Sequence, residues 1–226
     1  MDTIREVFRL IFSGDPELVQ ILTTTLVMSF FSTAVSSLLG FPLGVALGRK
    51  KFRGRNALLK ITNTLMSLPP VVAGLVVFLL FRSVGPFGRL HLLFTVPVMV
   101  VAQVVLITPV VVGMTAAATE DKSAALTETA KGLGLAGTLQ VRLLMRECAA
   151  QFVSVVLLAF GRSIAEVGAV ALVGGNIQHK TRVMTTAIML NTNMGYFKTS
   201  LALGIILLLL SLAVNVVARS VQEKLK

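Results

Sequence analysis

Five long apolar stretches are the sequence feature that most constrains how this chain folds. They cover Leu18–Leu47, Ala57–Phe81, Leu92–Ala118, Ala149–Val173 and Ser200–Ala218. A helix crosses the hydrocarbon core of a bilayer with about 20 apolar residues, so each stretch is long enough for one span. Hydrophobic residues make up 55% of the 226 residues, and the mean hydropathy is +0.87. Because a soluble domain of this size could not bury so much apolar surface, we predict an all-α integral membrane protein with five transmembrane helices.

The spans and their connections account for nearly the whole sequence, which predicts a single transmembrane domain over residues 1–226. Apolar residues within 4–12 recur at helical spacing, so a short amphipathic helix is expected on the membrane surface before the first span. Asp15 and Pro16 then suit the N-cap and first position of the next helix.

Small residues repeat at helical spacing along the first span. Such a stripe lets two helix backbones approach closely, and it predicts tight packing against a neighbouring helix. The stripe comprises Ser29, Ser32, Ser36, Gly40, Gly44 and Gly48.

The net charge of +11 is spread over short loops, which fits membrane topology better than nucleic-acid binding. With five spans, thirteen lysines and arginines lie on one side, in the segments 49–60, 119–148 and 219–226, and seven lie on the other. Cytoplasmic loops carry the excess of positive residues. We therefore predict a multi-pass protein of the cytoplasmic membrane with its N-terminus outside and its C-terminus in the cytoplasm.

Prolines interrupt the second and third stretches at Pro69, Pro70 and Pro109. A proline inside a helix removes a backbone hydrogen bond and kinks the axis, and the freed carbonyls need protein or water partners in lipid. We predict kinks at these three positions. They are consistent with helices arranged around a pathway and equally with an inert bundle.

The segment 119–148 is longer than a connection between two helices needs. Helix-forming residues run from Ser123 to Lys131, and the glycines that follow allow the chain to turn. The segment predicts a short cytoplasmic amphipathic helix that docks into a groove of another protein. Its apolar face comprises Leu126, Ala130 and Leu133.

Arg162 and Glu166 are ionised residues in the interior of the predicted fourth span. Each costs about 2.5–3.5 kcal/mol at the centre of an inserted helix. Their i, i+4 spacing places both on one helical face, where they can form an ion pair. Two hypotheses remain open: a buried pair that fixes helix packing, or residues that line or gate a translocation path.

Several motifs resemble the membrane subunits of type I ABC importers. Glu128-x-Ala130-x-x-Leu133-Gly134 is similar to the loop that forms their coupling helix, with Thr129 in place of the family's second alanine. The runs 68–75 and 85–88, Leu-Pro-Pro-Val-Val-Ala-Gly-Leu and Gly-Pro-Phe-Gly, agree with the same family. The run 160–169 resembles the fourth-span motif of molybdate, tungstate and sulfate permeases, and the segment 173–188 looks most like the tungstate branch.

The resemblance implies an ATP-driven importer of an oxyanion, tungstate first and molybdate or sulfate as alternatives. It implies that a coupling helix containing Glu128, Ala130, Leu133 and Gly134 meets an ATP-hydrolysing partner. It further implies a homodimer in the lipid membrane, two ATP-binding cassette subunits and an external substrate-binding protein. The residues implied to line or gate the path are Arg162, Ser163, Glu166 and Gly168.

No catalytic or cofactor site is predicted for this chain. The run 174–181 approaches a phosphate-binding loop, but His179 stands where the motif needs glycine, and the run follows a membrane helix rather than a strand. The single cysteine and two isolated histidines form no metal-ligand pattern. ATP hydrolysis is therefore expected in a separate subunit. Two other classes stay open: an ion-coupled carrier that titrates Glu166, and a membrane assembly factor.

Overall fold

The computed structural model describes residues 15–133 and 137–223, and within these ranges all the regular structure is helical. The all-α prediction is thus confirmed, whereas the amphipathic helix predicted over residues 4–12 lies outside the described residues. The α-helices are, in chain order, α1 (Pro16–Arg49), α2 (Arg55–Met66), α3 (Pro70–Phe81), α4 (Val96–Gly132), α5 (Gly137–Glu147), α6 (Ala149–Ile164), α7 (Gly168–Gly174), α8 (Met184–Asn193) and α9 (Phe197–Glu223).

Three helical segments are long and apolar enough to cross a membrane by themselves. They are Pro16–Arg49, Val96–Ser123 and Phe197–Val217. Two bent pairs could each form one more span: α2 with α3, at 98°, and α5 with α6, at 60°. Length and composition therefore give three to five spans within the described residues, and the count of five stays a prediction.

Helix α1 begins as the sequence predicts. The Asp15 carboxylate accepts a hydrogen bond from the Glu17 backbone N at 2.9 Å, and Pro16 occupies the first helical position. The predicted small-residue stripe packs against α4. A Cβ atom added at Gly44 would lie 2.5 Å from the Thr115 Cβ, and one added at Gly40 would lie 2.6 Å from Val111 Cγ1. Only glycine allows this approach of the two backbones.

The second apolar stretch is not one continuous helix. Helix α2 ends at Met66, and α3 starts with Pro69 as its N-cap and Pro70 as its first residue. Proline disfavours the helical conformation in the residue before it, so two consecutive prolines separate the helices, whose axes differ by 98°. In contrast, α4 continues through Pro109.

The third stretch differs from its prediction at both ends. Helix α4 starts at Val96 rather than Leu92 and continues far beyond Ala118, to Gly132. The separate short helix predicted over Ser123–Lys131 is therefore wrong, because this segment is the end of α4. Residues 116–131 are mostly good helix formers and contain neither glycine nor proline, so nothing ends the helix at the membrane surface.

The fourth stretch is also interrupted, so the prediction of a single helix over Ala149–Val173 is wrong. Helix α6 ends at Ile164, and α7 begins at Gly168. Hydropathy averaged over a whole span does not detect this break, because the few polar residues near it lie between long apolar segments. Helix α8 was not predicted, since it lies in a stretch of mixed polarity between the fourth and fifth predicted spans.

Two apolar clusters hold the helices together. The larger joins α1, α3, α4, α6 and α7, and its fully buried side chains include Val77, Val98, Met99, Val170 and Val173. The smaller joins the first turns of α1 to α8 and α9 and includes Leu18, Ile21, Met184, Ala202 and Leu203.

Candidate functional site

A buried polar cluster lies where α1, α4 and α6 meet. Ser32, Gln103 and Ser163 each have 0% exposure. Ser32 Oγ donates to Gln103 Oε1 at 2.9 Å and lies 2.9 Å from Ser163 Oγ. Gln103 Nε2 donates to the backbone oxygen of Ser163 at 3.0 Å, and Ser163 Oγ also donates to Gln103 Oε1. The cluster fixes the end of α6 to two other helices, just before the α6–α7 break.

Glu166 lies within that break and is 8% exposed. Its Oε1 accepts a hydrogen bond from the Ala169 backbone N at 3.0 Å, so the carboxylate satisfies a free N–H group in the first turn of α7. The backbone oxygen of Glu166 accepts from Thr185 Oγ1 at 2.8 Å. Glu166 therefore links the start of α7 to the start of α8.

Arg162 and Glu166, both described residues, form no ion pair in this structure, so of the two open hypotheses the buried pair is not the arrangement seen here. The i, i+4 geometry needs a continuous helix, but α6 ends at Ile164. None of the ion pairs within residues 15–133 and 137–223 includes Arg162, and its buried Nε has no hydrogen-bond partner there. Both residues still border one crevice beside Gln103 that is too narrow for a water molecule. The partly buried Arg162 also lines a groove of about 480 Å³ next to α9.

Gly168 stands where α7 approaches α3. A Cβ atom at this position would lie 2.9 Å from Val71 Cγ2. One helical turn along α3, a Cβ atom at Gly74 would lie 2.6 Å from the Ala169 Cα. The two glycines let the start of α7 pack directly on the first turns of α3, so the α6–α7 break lies beside the bend between α2 and α3.

The residues predicted for coupling lie at the far end of α4. Glu128 is exposed, and Leu133, just after the helix, is 68% exposed. Ala130 belongs to α4, and Gly134 lies outside the described residues. With 37 residues, α4 is about 56 Å long at 1.5 Å per residue. Since the hydrocarbon core is about 30 Å thick, the last turns of α4 extend well outside it.

Two contacts attach this extension to neighbouring segments. Arg55 at the start of α2 forms an ion pair with Glu120 at 2.7 Å, and its Nε donates to the backbone oxygen of Leu47 at 2.7 Å. Lys122 lies 3.9 Å from the Glu147 carboxylate. Movement of the end of α4 would therefore be transmitted to the ends of α1 and α5.

A second polar contact lies near the start of α1. Arg182 Nη1 donates to Glu17 Oε1 at 2.6 Å, and Gln178 Nε2 donates to Glu17 Oε2 at 2.8 Å. Nearby, His179 Nδ1 lies 3.0 Å from Gln20 Oε1. These bonds hold the loop between α7 and α8 against the first turn of α1.

Within residues 15–133 and 137–223, no group of three or more His, Cys, Asp and Glu side chains is placed to hold a metal ion. The arrangement offers instead polar and charged groups buried among apolar helices. Such groups are expensive in a membrane interior and mark paths or packing contacts.

Two features of this region were not predicted from the sequence. Gln103 is the amide that organises the buried cluster, and its signal was available, because it is a polar residue inside an otherwise apolar stretch. The groove shared by Arg162 and Arg219 had no such signal, since the two arginines are far apart in the sequence.

Comparison with protein families gives a match over most of the chain. The family model described as "Binding-protein-dependent transport system inner membrane component" matches residues 40–226. The tungstate uptake system permease protein TupB of Peptoclostridium acidaminophilum is 38% identical over 229 residues, which cover 99% of this chain and 100% of that protein. The protein of the same name from Campylobacter jejuni is 34% identical over 222 residues, covering 98% and 93% of the two chains.

A solved structure has a similar fold. In the inward-facing MetNI methionine ABC transporter, one chain superposes with a TM-score of 0.75 and 20% identity, covering 93% of this chain and 96% of that one. At this identity the likeness concerns the fold alone.

Proposed function

The chain belongs to the family of binding-protein-dependent transport system inner membrane components, and from this premise we propose that it is the permease subunit of an ATP-driven tungstate importer. The observation that carries the proposal is the end-to-end match, at 38% identity, to a tungstate uptake permease. This chain would form the path through the membrane and would hydrolyse no ATP itself.

The proposed translocation path passes the break between α6 and α7. Arg162, Ser163, Glu166 and Gly168 all lie in or beside this break. A helix break frees backbone groups that a water-filled cavity can satisfy, and a positive side chain next to it favours an anion. The buried Gln103 cluster would fix one side of the break, so that movement is confined to the other.

The proposed coupling element is the end of α4 with the turn that follows it. Glu128, Ala130, Leu133 and Gly134 would contact the ATP-hydrolysing subunit, and the exposure of Glu128 and Leu133 supports this assignment. The Arg55–Glu120 ion pair would carry movement of this element to α1 and α2. ATP-driven closure of the partner subunits could then open the path.

The proposed assembly is a homodimer of five-span chains in lipid. Two ATP-binding cassette subunits would bind on the cytoplasmic side, and a substrate-binding protein on the outside. The thirteen-to-seven bias of positive residues supports an N-terminus outside and a C-terminus inside. No nucleic acid is expected to bind.

The alternative of an ion-coupled carrier receives no support from Glu166. A proton-carrying carboxylate needs access to water, whereas this carboxylate is buried and bound to the Ala169 backbone N. Its geometry is that of a residue that stabilises the start of α7.

The proposal is tested by isolating the partners of the full-length chain from its own membranes. We expect an ATP-binding cassette subunit and an external binding protein, and titration of that protein with tungstate, molybdate and sulfate should show tightest binding of tungstate. Recovery of the chain without an ATP-binding subunit would contradict the importer. Tighter binding of molybdate or sulfate would contradict the assignment of tungstate.

A further inference from the structure

The groove between α6 and α9 contains an unneutralised pair of positive side chains. Its volume is about 480 Å³, and Arg162 and Arg219 both line it. Its other polar groups are Ser154, Asn215 and Gln222, and its apolar wall includes Val110, Leu157 and Leu158. Among the described residues that line the groove, none carries a carboxylate.

The two arginines converge because α6 and α9 run antiparallel. Gln222 near the end of α9 donates to Ser154 Oγ at 2.8 Å and thereby joins the first turns of α6, while Arg162 lies near the opposite end of α6. The Cα–Cβ bond of a helical residue tilts toward the N-terminus of its own helix. By this rule the Arg162 side chain is directed along α6 toward Arg219, and the Arg219 side chain is directed along α9 toward Arg162.

Arg162 also lacks the counter-charge that its position requires. It lies among apolar helices, its buried Nε has no partner within the described residues, and Glu166 is bound to the Ala169 backbone instead. Charged groups in the membrane interior are nearly always paired with an opposite charge or with backbone carbonyls. A groove with two guanidinium groups and no acid thus needs an anion to complete it.

We propose that this groove is a binding site for a tetrahedral oxyanion with two negative charges, held between Arg162 and Arg219. Each guanidinium presents paired N–H donors that match two oxygens of such an anion. Asn215 adds amide hydrogens, of which one already bonds the Ser211 backbone oxygen. A water molecule takes about 30 Å³ in the liquid, so the groove has room for the anion and several waters.

The site would be a stopping point for the transported anion on the cytoplasmic half of the path. The proposal rests on the proposed function for the identity of that anion and for the position of the groove on its path. Gln222 closes the end of the groove through Ser154, so release would require α9 to separate from the start of α6.

The test measures tungstate binding to the full-length chain without the external binding protein, in phosphatidylcholine nanodiscs and chloride buffer. Equilibrium dialysis with elemental analysis of tungsten should give saturable binding of one tungstate per chain. Loss of one charged donor weakens such binding by about tenfold or more, which is the effect expected of Arg162→Gln and of Arg219→Gln. Arg219→Lys should lose less than Arg219→Gln, because it keeps the charge.

Arg53→Gln is the matched control, since it removes an exposed arginine outside the groove, and it should bind tungstate as the wild type does. Arg162 is partly buried and its replacement can disturb folding, so Arg219→Gln, at an exposed position, carries the test by itself. Absent tungstate binding, or equal binding by wild type and Arg219→Gln, would overturn the proposal.

A lipid phosphate has similar chemistry, so the same variants are compared in nanodiscs that contain phosphatidylglycerol. Native mass spectrometry shows whether the wild type retains phosphatidylglycerol and whether both Gln variants lose it, and dialysis shows whether this lipid displaces tungstate. If all three results are found, the groove is a lipid site and the proposal is wrong. If tungstate does not bind the groove, or if the groove binds lipid instead, tungstate uptake by the assembled transporter would still uphold the proposed function. Absence of that uptake would refute the function separately.

Discussion

The contact between α1 and α4 gives a stability prediction whose magnitude follows from geometry. A Cβ atom at Gly44 would lie 2.5 Å from the Thr115 Cβ and 2.8 Å from the Val112 backbone oxygen, whereas ordinary contacts are 3.4–4 Å. Both atoms are close to the backbone and cannot move by a simple side-chain rotation, so Gly44→Ala must separate the helices. Such overpacking costs about 1–3 kcal/mol, offset by about 0.5–1 kcal/mol from the higher helix propensity of alanine.

We therefore expect Gly44→Ala to lose up to about 2.5 kcal/mol net. The control is Gly204→Ala, because Gly204 is also inside a helix but has no atom within 4 Å of its added Cβ. It should gain up to about 1 kcal/mol. Thermal unfolding of the purified chain reports the difference, since 1 kcal/mol shifts the Tm of a chain this long by about 2–4 °C. If Gly44→Ala melts with or above Gly204→Ala, the close approach of α1 and α4 is wrong.

Three further predictions concern topology, the contact at the start of α1 and the α6–α7 break. A cysteine at position 180, in place of Lys180, should react with an impermeant thiol reagent added outside intact cells, whereas a cysteine in place of Lys51 should not react. The opposite labelling would show that the topology is the reverse of the predicted one. Glu17→Gln and Arg182→Gln should each lower the free energy of unfolding by about 0.2–1 kcal/mol, and the double variant should lower it by less than the sum of the two. Additive losses in a double-mutant cycle would show that the ion pair contributes nothing to stability. Glu166→Ala should lower the free energy of unfolding by about 1 kcal/mol, as removal of a helix cap does. Glu166→Gln should lower it by less, because the glutamine amide oxygen still accepts the hydrogen bond from the Ala169 backbone N. Equal losses of the two variants in thermal unfolding would show that the charge of Glu166, and not its hydrogen bond, stabilises the break.

The apolar stretches predicted the long helices well, because hydropathy directly reports which segments avoid water. The start of α1 was also predictable, since Asp15 and Pro16 carry a local capping signal. The small-residue stripe predicted a close helix contact. It could not identify α4 as the partner, because glycine spacing describes only one of the two surfaces.

The helix breaks and the end of α4 were harder to predict. The break at 165–167 lies in a segment without proline, and contacts of Glu166 and Gly168 stabilise it. For the same reason spacing alone could not decide whether Arg162 and Glu166 pair, because i, i+4 spacing assumes an unbroken helix. Helix propensity favours the extension of α4 to Gly132, whereas the polar composition of 119–132 favours a separate element.

The candidate site was predictable in its residues but not in its arrangement. Arg162, Ser163 and Glu166 follow one another closely in sequence, yet the structure gives each a different environment: a groove, a buried cluster and a helix cap. These environments depend on Gln103, Thr185 and Arg219, which are distant in sequence. Only the packing of helices determines such neighbours.

The most direct test of the central claim is tungstate uptake by the reconstituted transporter. The full-length chain, its ATP-binding subunit and its external binding protein are placed in proteoliposomes, and internal tungsten is measured over time with and without ATP. We predict that tungstate accumulates only when ATP and the external binding protein are present. An equal amount of sulfate should not prevent this accumulation. Uptake that proceeds without ATP under a proton gradient, or no uptake of tungstate at all, would contradict the account.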